Sequence, residues 1–176
     1  LGHGCNRLGG SCLAQVFNQI GDTCPDVTAA DVRRFFFAIQ QLISEDLLLA
    51  YHDRSDGGLF VTVAEMAFGG RSGIDIDLDN LGDDQLAILF SEEIGSVIQV
   101  LKADNERVRN VLAEHGLNDC IHMIGHPNDN GDLRIRCYNE MIFCESTASL
   151  RSSWSELTYR MQGLRDNPDC AREEYD

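Results

Sequence analysis

The stretch 50-AYHDRSDGGLF-60 places two carboxylates, a hydroxyl and a glycine pair between two apolar runs. The run before it, 47-LLLAYH-52, predicts a buried strand because it is short and almost continuously apolar. The run after it, 59-LFVTVAEMAF-68, has helical spacing, with Leu59, Val63 and Met66 on one face. A strand, a glycine-rich turn and a helix in this order are typical of α/β folds and expose backbone N–H groups at the helix N-terminus.

The side chains of this turn suit a site for a phosphate and a metal ion. Asp53 lies at the predicted strand end, at the edge where α/β proteins bind ligands. Mg²⁺ bridges carboxylates and phosphates, so Asp53 is the candidate Mg²⁺ ligand. The Ser55 hydroxyl can donate to a phosphate oxygen, and Gly57 and Gly58 let the backbone come close. We interpret the turn as a metal-assisted phosphate site.

The alternative is purely structural. Ser55 or Asp56 caps the following helix, and the glycines only form the turn. An EF-hand is a poor fit, because the twelfth position counted from Asp53 is Ala64 rather than Glu. A Walker A loop would need a lysine, which this turn lacks. A dyad of His52 and Asp53 is excluded, since neighbouring strand residues point to opposite faces.

The rest of the chain alternates between helical and strand patterns. Thr28 and Asp83 are the predicted N-caps of two helices, and Gly116 is the predicted stop of a third. Together with two others, these give expected helices at 11–20, 28–45, 84–92, 104–115 and 150–168. Strands are expected at 74–79, 96–101, 120–126, 133–139 and 141–146, and the last two are joined by a turn at Asn139-Glu140. The β-α-β spacing over 96–126 predicts a partly ferredoxin-like arrangement. We expect an α/β (α+β) fold, a mixed sheet with flanking helices.

The charge balance limits the possible partners. Fourteen basic and 29 acidic residues give a formal net charge of −15. This field repels a phosphate backbone, which argues against nucleic acid, although local dipoles can still bind an isolated phosphate. No apolar run approaches the roughly 20 residues of a membrane span. The first ten residues do not resemble a signal peptide, and the start without Met suggests a piece of a longer chain.

The seven cysteines form no CxxC motif and predict neither a zinc ribbon nor a thioredoxin-like redox site, which favours reduced thiols in a cytoplasmic protein. Cys12, in 8-LGGSCLA-14, lies at a helix start where the macrodipole lowers a thiol pKa. A nucleophile there needs a histidine, and His3 is the nearest in sequence. The alternative is that Cys12 only packs as a small apolar residue. The glycines of LGGS are a second possible anion cradle, or only a tight turn.

Glu92 and Glu93 end a predicted helix, where the helix dipole disfavours carboxylates. Their position therefore indicates a role, either a salt bridge or a contact with another domain. His115, His122 and His126 have no partners at metal-ligand spacing and are read as ordinary residues.

The sequence pattern after residue 149 no longer alternates between strands and helices. Leu150, Trp154, Leu157, Met161 and Leu164 recur at steps of three and four, which predicts an amphipathic helix stopped by Asp-Asn-Pro before an acidic end. We expect a domain over 1–149 and a linker helix with an acidic tail over 150–176. An exposed stripe of five apolar residues would promote non-specific association, so we expect it to pack on the domain or on a second copy.

Several stretches together resemble the aminoimidazole-ribonucleotide-synthetase-like superfamily in its C-terminal domain. They are LGGS opening a helix, HDRSDGGL after a strand, AEMAFGG closing the next helix, and FSEEIGSVIQV. The chain is most similar to the phosphoribosylformylglycinamidine synthase family, the formylglycinamide ribonucleotide amidotransferases, in the large single-chain form. The stretch 154-WSELTYRMQGLRDNPDCA-171 resembles the segment that leads toward the glutaminase domain of that family.

The resemblance implies a part of an ATP-dependent ligase of purine biosynthesis, which makes formylglycinamidine ribonucleotide from formylglycinamide ribonucleotide and glutamine. This piece would be the C-terminal domain of the second half, where the family holds a structural nucleotide, ATP or ADP, with Mg²⁺. By this resemblance Asp53 is a Mg²⁺ ligand, Ser55 contacts the nucleotide phosphates, and no residue here is catalytic. The partners are the paired nucleotide-binding domain and the glutaminase domain. The isolated piece should be inactive, and two copies could pair artificially.

Two other functions stay open. The chain could belong to another superfamily member, such as a selenophosphate synthetase or a thiamine-monophosphate kinase, although the tail after Leu150 argues against both. It could also be a non-catalytic scaffold domain whose Trp154 stripe mediates assembly.

Overall fold

The computed structural model describes residues 1–175, with seven α-helices and six strands in this range. The helices are α1 (Cys12–Val16), α2 (Ala29–Ser44), α3 (Gly58–Gly70), α4 (Gln85–Phe90), α5 (Asn105–Glu114), α6 (Thr147–Arg165) and α7 (Pro168–Tyr175). The strands are β1 (Ala50–Asp53), β2 (Gly73–Asp77), β3 (Ser96–Gln99), β4 (Gly125–Asn128), β5 (Asp132–Cys137) and β6 (Glu140–Ser146). Short 3₁₀ turns lie at Lys102–Asp104 and Asn118–Cys120.

The chain divides into two units. Unit 1 contains Leu1–Met66 and Leu78–Ile124, and unit 2 contains Ala67–Asp77 and the described chain from Gly125 onward. Each unit has its own sheet, of two strands in unit 1 and of four in unit 2. The predicted fold class, mixed α/β with flanking helices, is confirmed.

The core of unit 1 lies between α2 and α5. Ala38 and Leu42 of α2 are fully buried, and Val108 and Leu112 of α5 belong to the same cluster. Helix α2 begins as predicted at Thr28, whose hydroxyl accepts a hydrogen bond from the backbone N–H of Asp31 at 3.1 Å. This cap satisfies one of the free N–H groups of the first turn, so the local sequence defines where the helix starts.

Strand β1 pairs with β3 in an antiparallel ribbon, with Ala50 opposite Gln99 and Asp53 opposite Ser96. The prediction of a continuously buried strand over 47–52 is wrong in two respects. The strand begins only at Ala50, and Tyr51 is 40% exposed. In a two-stranded ribbon successive side chains alternate between a covered and an open face, so a run of apolar letters does not imply burial on both.

Unit 2 contains a mixed sheet in the order β4-β2-β5-β6. β2 runs parallel to β5, while β4 and β6 are antiparallel to their neighbours. Leu133 and Ile135 of β5 are fully buried. The β5–β6 hairpin turns at Tyr138 and Asn139, which have φ values of 50° and 63°, one residue earlier than predicted.

The strand predicted at 120–126 is largely wrong. Residues Asn118–Cys120 form a 3₁₀ turn, and the strand begins only at Gly125. Its partner is β2, whereas β3 pairs with β1, so the two strands of the expected β-α-β unit lie in different sheets. The spacing had suggested a ferredoxin-like unit, but pairing between strands is a long-range choice that spacing does not specify.

Two helix boundaries also differ. Helix α1 covers only Cys12–Val16 instead of 11–20, because Asn18 adopts a left-handed conformation with φ of 54° soon after its last turn. Helix α4 is capped by Asp84, not Asp83, and ends at Phe90. The stop of α5 at Gly116, with φ of 71°, is as predicted.

Helices α6 and α7 pack on each other within unit 2. The rings of Tyr159 and Tyr175 stack with centroids 4.3 Å apart, and the Tyr175 hydroxyl lies 2.6 Å from the Ser152 hydroxyl. The helix predicted over 150–168 is therefore present and ends before Pro168, with a second helix in place of a simple acidic tail. No helix among the described residues is long and apolar enough to cross a membrane.

The apolar stripe of α6 packs only in part. Trp154 contacts the Phe68 ring, with centroids 5.9 Å apart. Leu157, Met161 and Leu164 are 70%, 59% and 91% exposed, respectively. The expectation that the whole stripe packs on the domain is therefore not met for these residues.

Candidate functional site

The glycine-rich turn of unit 1 joins the end of β1 to the start of α3. Asp53 is the last residue of β1, and both Asp53 and Ser55 are exposed. Gly57 and Gly58 are buried and have φ values of 82° and 66°, in the left-handed region that favours glycine. A Cβ atom on Gly58 would lie 2.7 Å from the carbonyl oxygen of Ser91. Glycine is therefore needed at position 58 for backbone shape and for close packing.

The Glu92 carboxylate links this turn to the start of α1. Its Oε1 accepts a hydrogen bond from the Gly57 N–H at 2.9 Å and another from the Cys12 N–H at 2.8 Å. The Gly58 N–H donates to the Ser55 carbonyl at 2.9 Å. The backbone donors of Gly57 and Gly58 are thus already bonded within the protein.

Neither Ser55 nor Asp56 performs the capping role considered from the sequence. In residues 1–175 neither side chain accepts a hydrogen bond from the start of α3, and Glu92, 35 residues downstream, binds the Gly57 N–H instead. Asp53, Ser55 and Asp56 are the exposed polar residues of this turn. The sequence signal for Glu92 was its unfavourable position at a helix end.

The side chains around Asp53 separate onto two faces of β1. Burial, followed by the hydrogen bond and the negative charge of Asp53, raises the pKa of Tyr51 to about 12. His52 points to the other face, where its Nε2 lies 2.8 Å from Oε2 of Glu65 on α3. The prediction that His52 and Asp53 form no dyad is confirmed. Glu65 was not identified from the sequence, since nothing local couples it to β1.

Glu93 forms a buried ion pair with Arg7. It accepts hydrogen bonds from the Arg7 backbone N–H at 3.1 Å, from Nε at 2.7 Å and from a terminal guanidinium nitrogen at 2.8 Å. Burial alone raises the pKa of Glu93, but these hydrogen bonds and the charge of Arg7 hold it below the usual value. Of the two roles predicted for this glutamate, the salt bridge is the one observed. Arg7 gave no signal in the sequence, because 86 residues separate the partners.

The structure does not support the nucleophile considered for Cys12, whereas the packing alternative agrees with its surroundings. Burial, together with the charges of Glu92 and Asp56, raises the pKa of the Cys12 thiol rather than lowering it. The dipole of the five-residue helix α1 is outweighed by two carboxylates, whose ligand atoms lie within 4.8 Å of the thiol and of each other. His3 does not approach Cys12, since its Nδ1 lies 3.8 Å from Sγ of Cys120. The geometry is that of a structural thiol.

A cavity of about 530 Å³ lies in unit 1, with Arg54 of the same turn in its wall. The Arg54 backbone N–H donates to the Gly95 carbonyl at 2.9 Å, and one terminal nitrogen lies 3.3 Å from the Ser91 hydroxyl. Burial lowers the pKa of this guanidinium, partly offset by the charge of Glu93. Glu93 also lines the cavity, whose remaining wall combines apolar residues such as Phe35 and Leu59 with polar ones such as Asn6 and His122. The sequence had not singled out Arg54.

The family model described as AIR synthase related protein, C-terminal domain, matches residues 1–138. This match covers most of the chain, and the chain belongs to that family. The superfamily predicted from the HDRSDGGL and FSEEIGSVIQV stretches is confirmed.

Among solved structures, the fold is similar to that of PurL from Thermotoga maritima complexed with ATP. The TM-score is 0.61 at 16% identity, over 79% of this chain and 23% of that chain. Phosphoribosylformylglycinamidine synthase II from the same organism gives a TM-score of 0.62 at 15% identity, over 70% and 22%. HypE of E. coli, a hydrogenase maturation protein, gives 0.55 at 22% identity, over 75% and 44%.

At these identities the structural matches establish a shared fold. The chain spans somewhat less than a quarter of the length of the Thermotoga chains that it matches. The match to HypE shows that the same fold also occurs in a hydrogenase maturation protein. The function of this chain therefore has to be inferred from the residues of its site and not from its fold.

Proposed function

We propose that this chain is the C-terminal domain of the second superfamily half of a large, single-chain formylglycinamide ribonucleotide amidotransferase. The complete enzyme makes formylglycinamidine ribonucleotide from formylglycinamide ribonucleotide, glutamine and ATP. Membership in the AIR synthase related family supports this proposal, as does the fold shared with Thermotoga PurL, which was solved with ATP and with ADP. Residues 1–149 form the domain in this proposal, and 150–176 lead toward the glutaminase domain.

The observation that carries the proposal is the outward pair of Asp53 and Ser55 on the glycine-rich turn. The Gly57 and Gly58 N–H groups are already bonded to Glu92 and to Ser55. Recognition of an external phosphate at this turn therefore falls to the Ser55 hydroxyl and, through a cation, to Asp53. A carboxylate and a hydroxyl two residues apart in one turn match this task.

The donor set also fits Mg²⁺. This ion prefers oxygen ligands and is usually held by one or two carboxylates together with phosphate oxygens. Asp53 supplies one exposed carboxylate, and the ion would neutralise the charge between that carboxylate and a nucleotide phosphate. Glu92 keeps the turn in place from behind, because it ties the Gly57 N–H to the start of α1. In this proposal the nucleotide is structural, and Asp53 and Ser55 hold it rather than act on it.

The test uses the complete enzyme with Asp53→Asn and Ser55→Ala. Asp53→Asn should reduce the amount of nucleotide that copurifies and lower the melting temperature, since the ion loses its carboxylate. Ser55→Ala should have the same direction with a smaller effect, because one hydrogen bond to a charged group is lost. Bound nucleotide is measured by chromatography after acid release, and unfolding by calorimetry.

Asp129→Asn is the matched control. It removes the same charge from an exposed residue of unit 2 that does not belong to the turn. It should leave both readouts unchanged. A variant Asp53→Asn that keeps its nucleotide and its melting temperature would contradict the site. A complete protein without glutamine-dependent synthesis of the amidine would contradict the activity, and another superfamily member would then be the better assignment.

A further inference from the structure

Three side chains that can bind a metal ion converge at the glycine-rich turn of unit 1. They are the Cys12 thiol at the start of α1, the Asp56 carboxylate of the turn and the Glu92 carboxylate after α4. Each offers one ligand atom, and these atoms all lie within 4.8 Å of one another. Because the residues come from three separate segments, folding is needed to assemble this set, which we call the Cys12–Asp56–Glu92 cluster.

The Glu92 carboxylate of the cluster is held in place by backbone donors. Its Oε1 accepts hydrogen bonds from the Cys12 N–H at 2.8 Å and from the Gly57 N–H at 2.9 Å. Both bonds end on Oε1, so Oε2 can bind an ion without loss of either. The first bond also satisfies an N–H group at the start of α1, where the helix dipole would otherwise disfavour a cation.

The cluster concentrates negative charge. Among the ion pairs of residues 1–175, none includes Asp56 or Glu92. Glu92 is partly buried while Asp56 is exposed, so solvent screens the mutual repulsion of the two carboxylates only in part. A divalent cation bound between them would replace this repulsion by attraction to both. A cation is therefore the ligand that the charges of the cluster favour.

The thiol of the cluster decides which cation fits. Thiolate is a soft ligand that favours zinc, whereas Mg²⁺ and Ca²⁺ prefer sites made of oxygen atoms. Zn²⁺ binds cysteine sulfur and carboxylate oxygen and takes four ligands in a tetrahedral arrangement. The cluster supplies three of them, and a water molecule can take the fourth position. One sulfur and two carboxylate oxygens therefore fit Zn²⁺ better than Mg²⁺.

We propose that the Cys12–Asp56–Glu92 cluster is a binding site for Zn²⁺. On binding, the Cys12 thiol gives its proton to solvent, and the thiolate binds the ion. The ion joins the start of α1 to the glycine-rich turn through their side chains, as Glu92 does through their backbone N–H groups. Cys12 remains a structural residue and not a nucleophile. This inference does not rest on the proposed function, because neither Asp53 nor Ser55 belongs to the cluster.

Titration of the reduced, metal-free chain with Co²⁺ tests the site, because the absorption spectrum of Co²⁺ reports its ligands. We expect one Co²⁺ per chain, with a thiolate-to-cobalt charge-transfer band in the near ultraviolet and the intense visible bands of four-coordinate geometry. Zn²⁺ should displace Co²⁺ and abolish these bands, whereas Mg²⁺ in large excess should not, since it binds thiolate poorly. Zn²⁺ should also raise the melting temperature, as a ligand of the folded state does.

Two variants test the ligands, with Zn²⁺ affinity measured by competition with a zinc-binding dye. Cys12→Ser should remove the charge-transfer band. Both Cys12→Ser and Asp56→Asn should weaken Zn²⁺ binding at least about tenfold, since loss of residues one step beyond the metal ligands already costs this much. Asp56 is exposed, so Asp56→Asn should fold even if Cys12→Ser does not. Cys5→Ser and Asp22→Asn, at exposed residues of unit 1 outside the cluster, are the matched controls and should bind Zn²⁺ like the parent chain.

Any of four results would overturn the proposal. The chain could bind no Co²⁺, or the charge-transfer band could persist in Cys12→Ser, in which case another thiol binds the ion. Asp56→Asn could bind Zn²⁺ as tightly as the parent chain, which would show that the carboxylate is not a ligand. Mg²⁺ could displace Co²⁺ as readily as Zn²⁺ does, which would indicate oxygen ligands alone. None of these results bears on nucleotide retention by Asp53→Asn, so the two proposals can fail separately.

Discussion

Glu92 and Glu93 are adjacent in sequence but have different functions in unit 1. Glu92 accepts hydrogen bonds from Gly57 and Cys12, and so joins the starts of α3 and α1. Glu93 is 2% exposed and pairs with Arg7. The two carboxylates that follow α4 thus stabilise the site in different ways. Glu92 does so by accepting hydrogen bonds from backbone N–H groups, and Glu93 by a buried ion pair.

Substitution of Glu93 by Ala should strongly destabilise the protein. It would remove the partner of a guanidinium that makes hydrogen bonds to both carboxylate oxygens, and loss of one member of a buried pair typically costs about 3 kcal/mol. Urea unfolding measures the change in the free energy of unfolding. Glu156→Ala is the control, because the exposed Glu156–Arg160 pair should contribute within about 1 kcal/mol.

The same variant has a defined pH dependence. The pKa of Glu93 is lower in the folded protein than in the unfolded chain. Its contribution to stability is therefore fully present above the unfolded pKa of about 4.3 and is lost as the pH falls through the folded value. The difference between the parent chain and Glu93→Ala should be constant near neutral pH and should shrink in acid. A difference that grows on acidification would contradict the role of this ion pair.

At the scale of elements, α3 contains one glycine that the backbone requires and one that it does not. At its start Gly58 has φ of 66° and lies against the backbone of Leu89 to Ser91, where a side chain cannot fit. Near its end Gly69 has open space around the position of a Cβ atom. The first glycine shapes the turn of the site, while the second has no steric requirement.

Replacement of these two glycines by alanine should therefore have opposite effects. Gly58→Ala should destabilise the protein by about 2 kcal/mol or more, because it combines an unfavourable φ with a backbone clash. Gly69→Ala should be neutral or stabilising by up to about 1 kcal/mol, the difference in helix propensity. Thermal unfolding of both variants measures this contrast. Equal effects at the two positions would show that Gly58 is not needed for the turn.

The elements that were predicted best are those with local signals. Helix α2 has its own cap at Thr28, and α5 ends at Gly116, so a stretch of a few residues defines each boundary. Helix α1 and strand β4 were predicted with the wrong extent. Their limits depend on the left-handed Asn18 and on pairing with β2, and neither follows from hydrophobic periodicity.

At the scale of the whole molecule, a single turn cannot hold a nucleotide alone. Asp53 and Ser55 supply one carboxylate and one hydroxyl, fewer ligands than the octahedral preference of Mg²⁺ requires. The net charge of −15 also repels a free nucleotide from most of the surface. A nucleotide bound at this turn would therefore need further ligands, which the proposed paired domain would supply.

We accordingly expect the 176-residue chain to show no tight binding of Mg–ATP and no turnover of glutamine or ATP. Isothermal calorimetry with Mg–ATP and an ammonia-release assay measure these two properties. The complete enzyme, assayed in parallel, is the positive control. Tight binding of Mg–ATP by the chain alone would show that the turn needs no partner domain.

The motif residues of the candidate site could be found from the sequence, because Asp53, Ser55 and the glycine pair lie together in one short stretch. Their surroundings could not. Arg54 in the cavity wall and Glu65 beside His52 have no local pattern that indicates their partners. The expected lowering of the Cys12 pKa was wrong for the same reason, since burial of the thiol and the charge of Glu92, 80 residues away, both raise it.

The amino-acid sequence by itself determined the family, the mixed α/β class, the position of the glycine-rich turn and the helices with their own caps. These features depend on neighbouring residues and on short-range periodicity. Only the tertiary structure decided which strands share a sheet, that Glu92 binds the Gly57 N–H, that Arg7 neutralises Glu93, and which side of α6 stays uncovered. Each of these is a contact between distant parts of the chain, and burial and charge become effective only when folding brings those parts together.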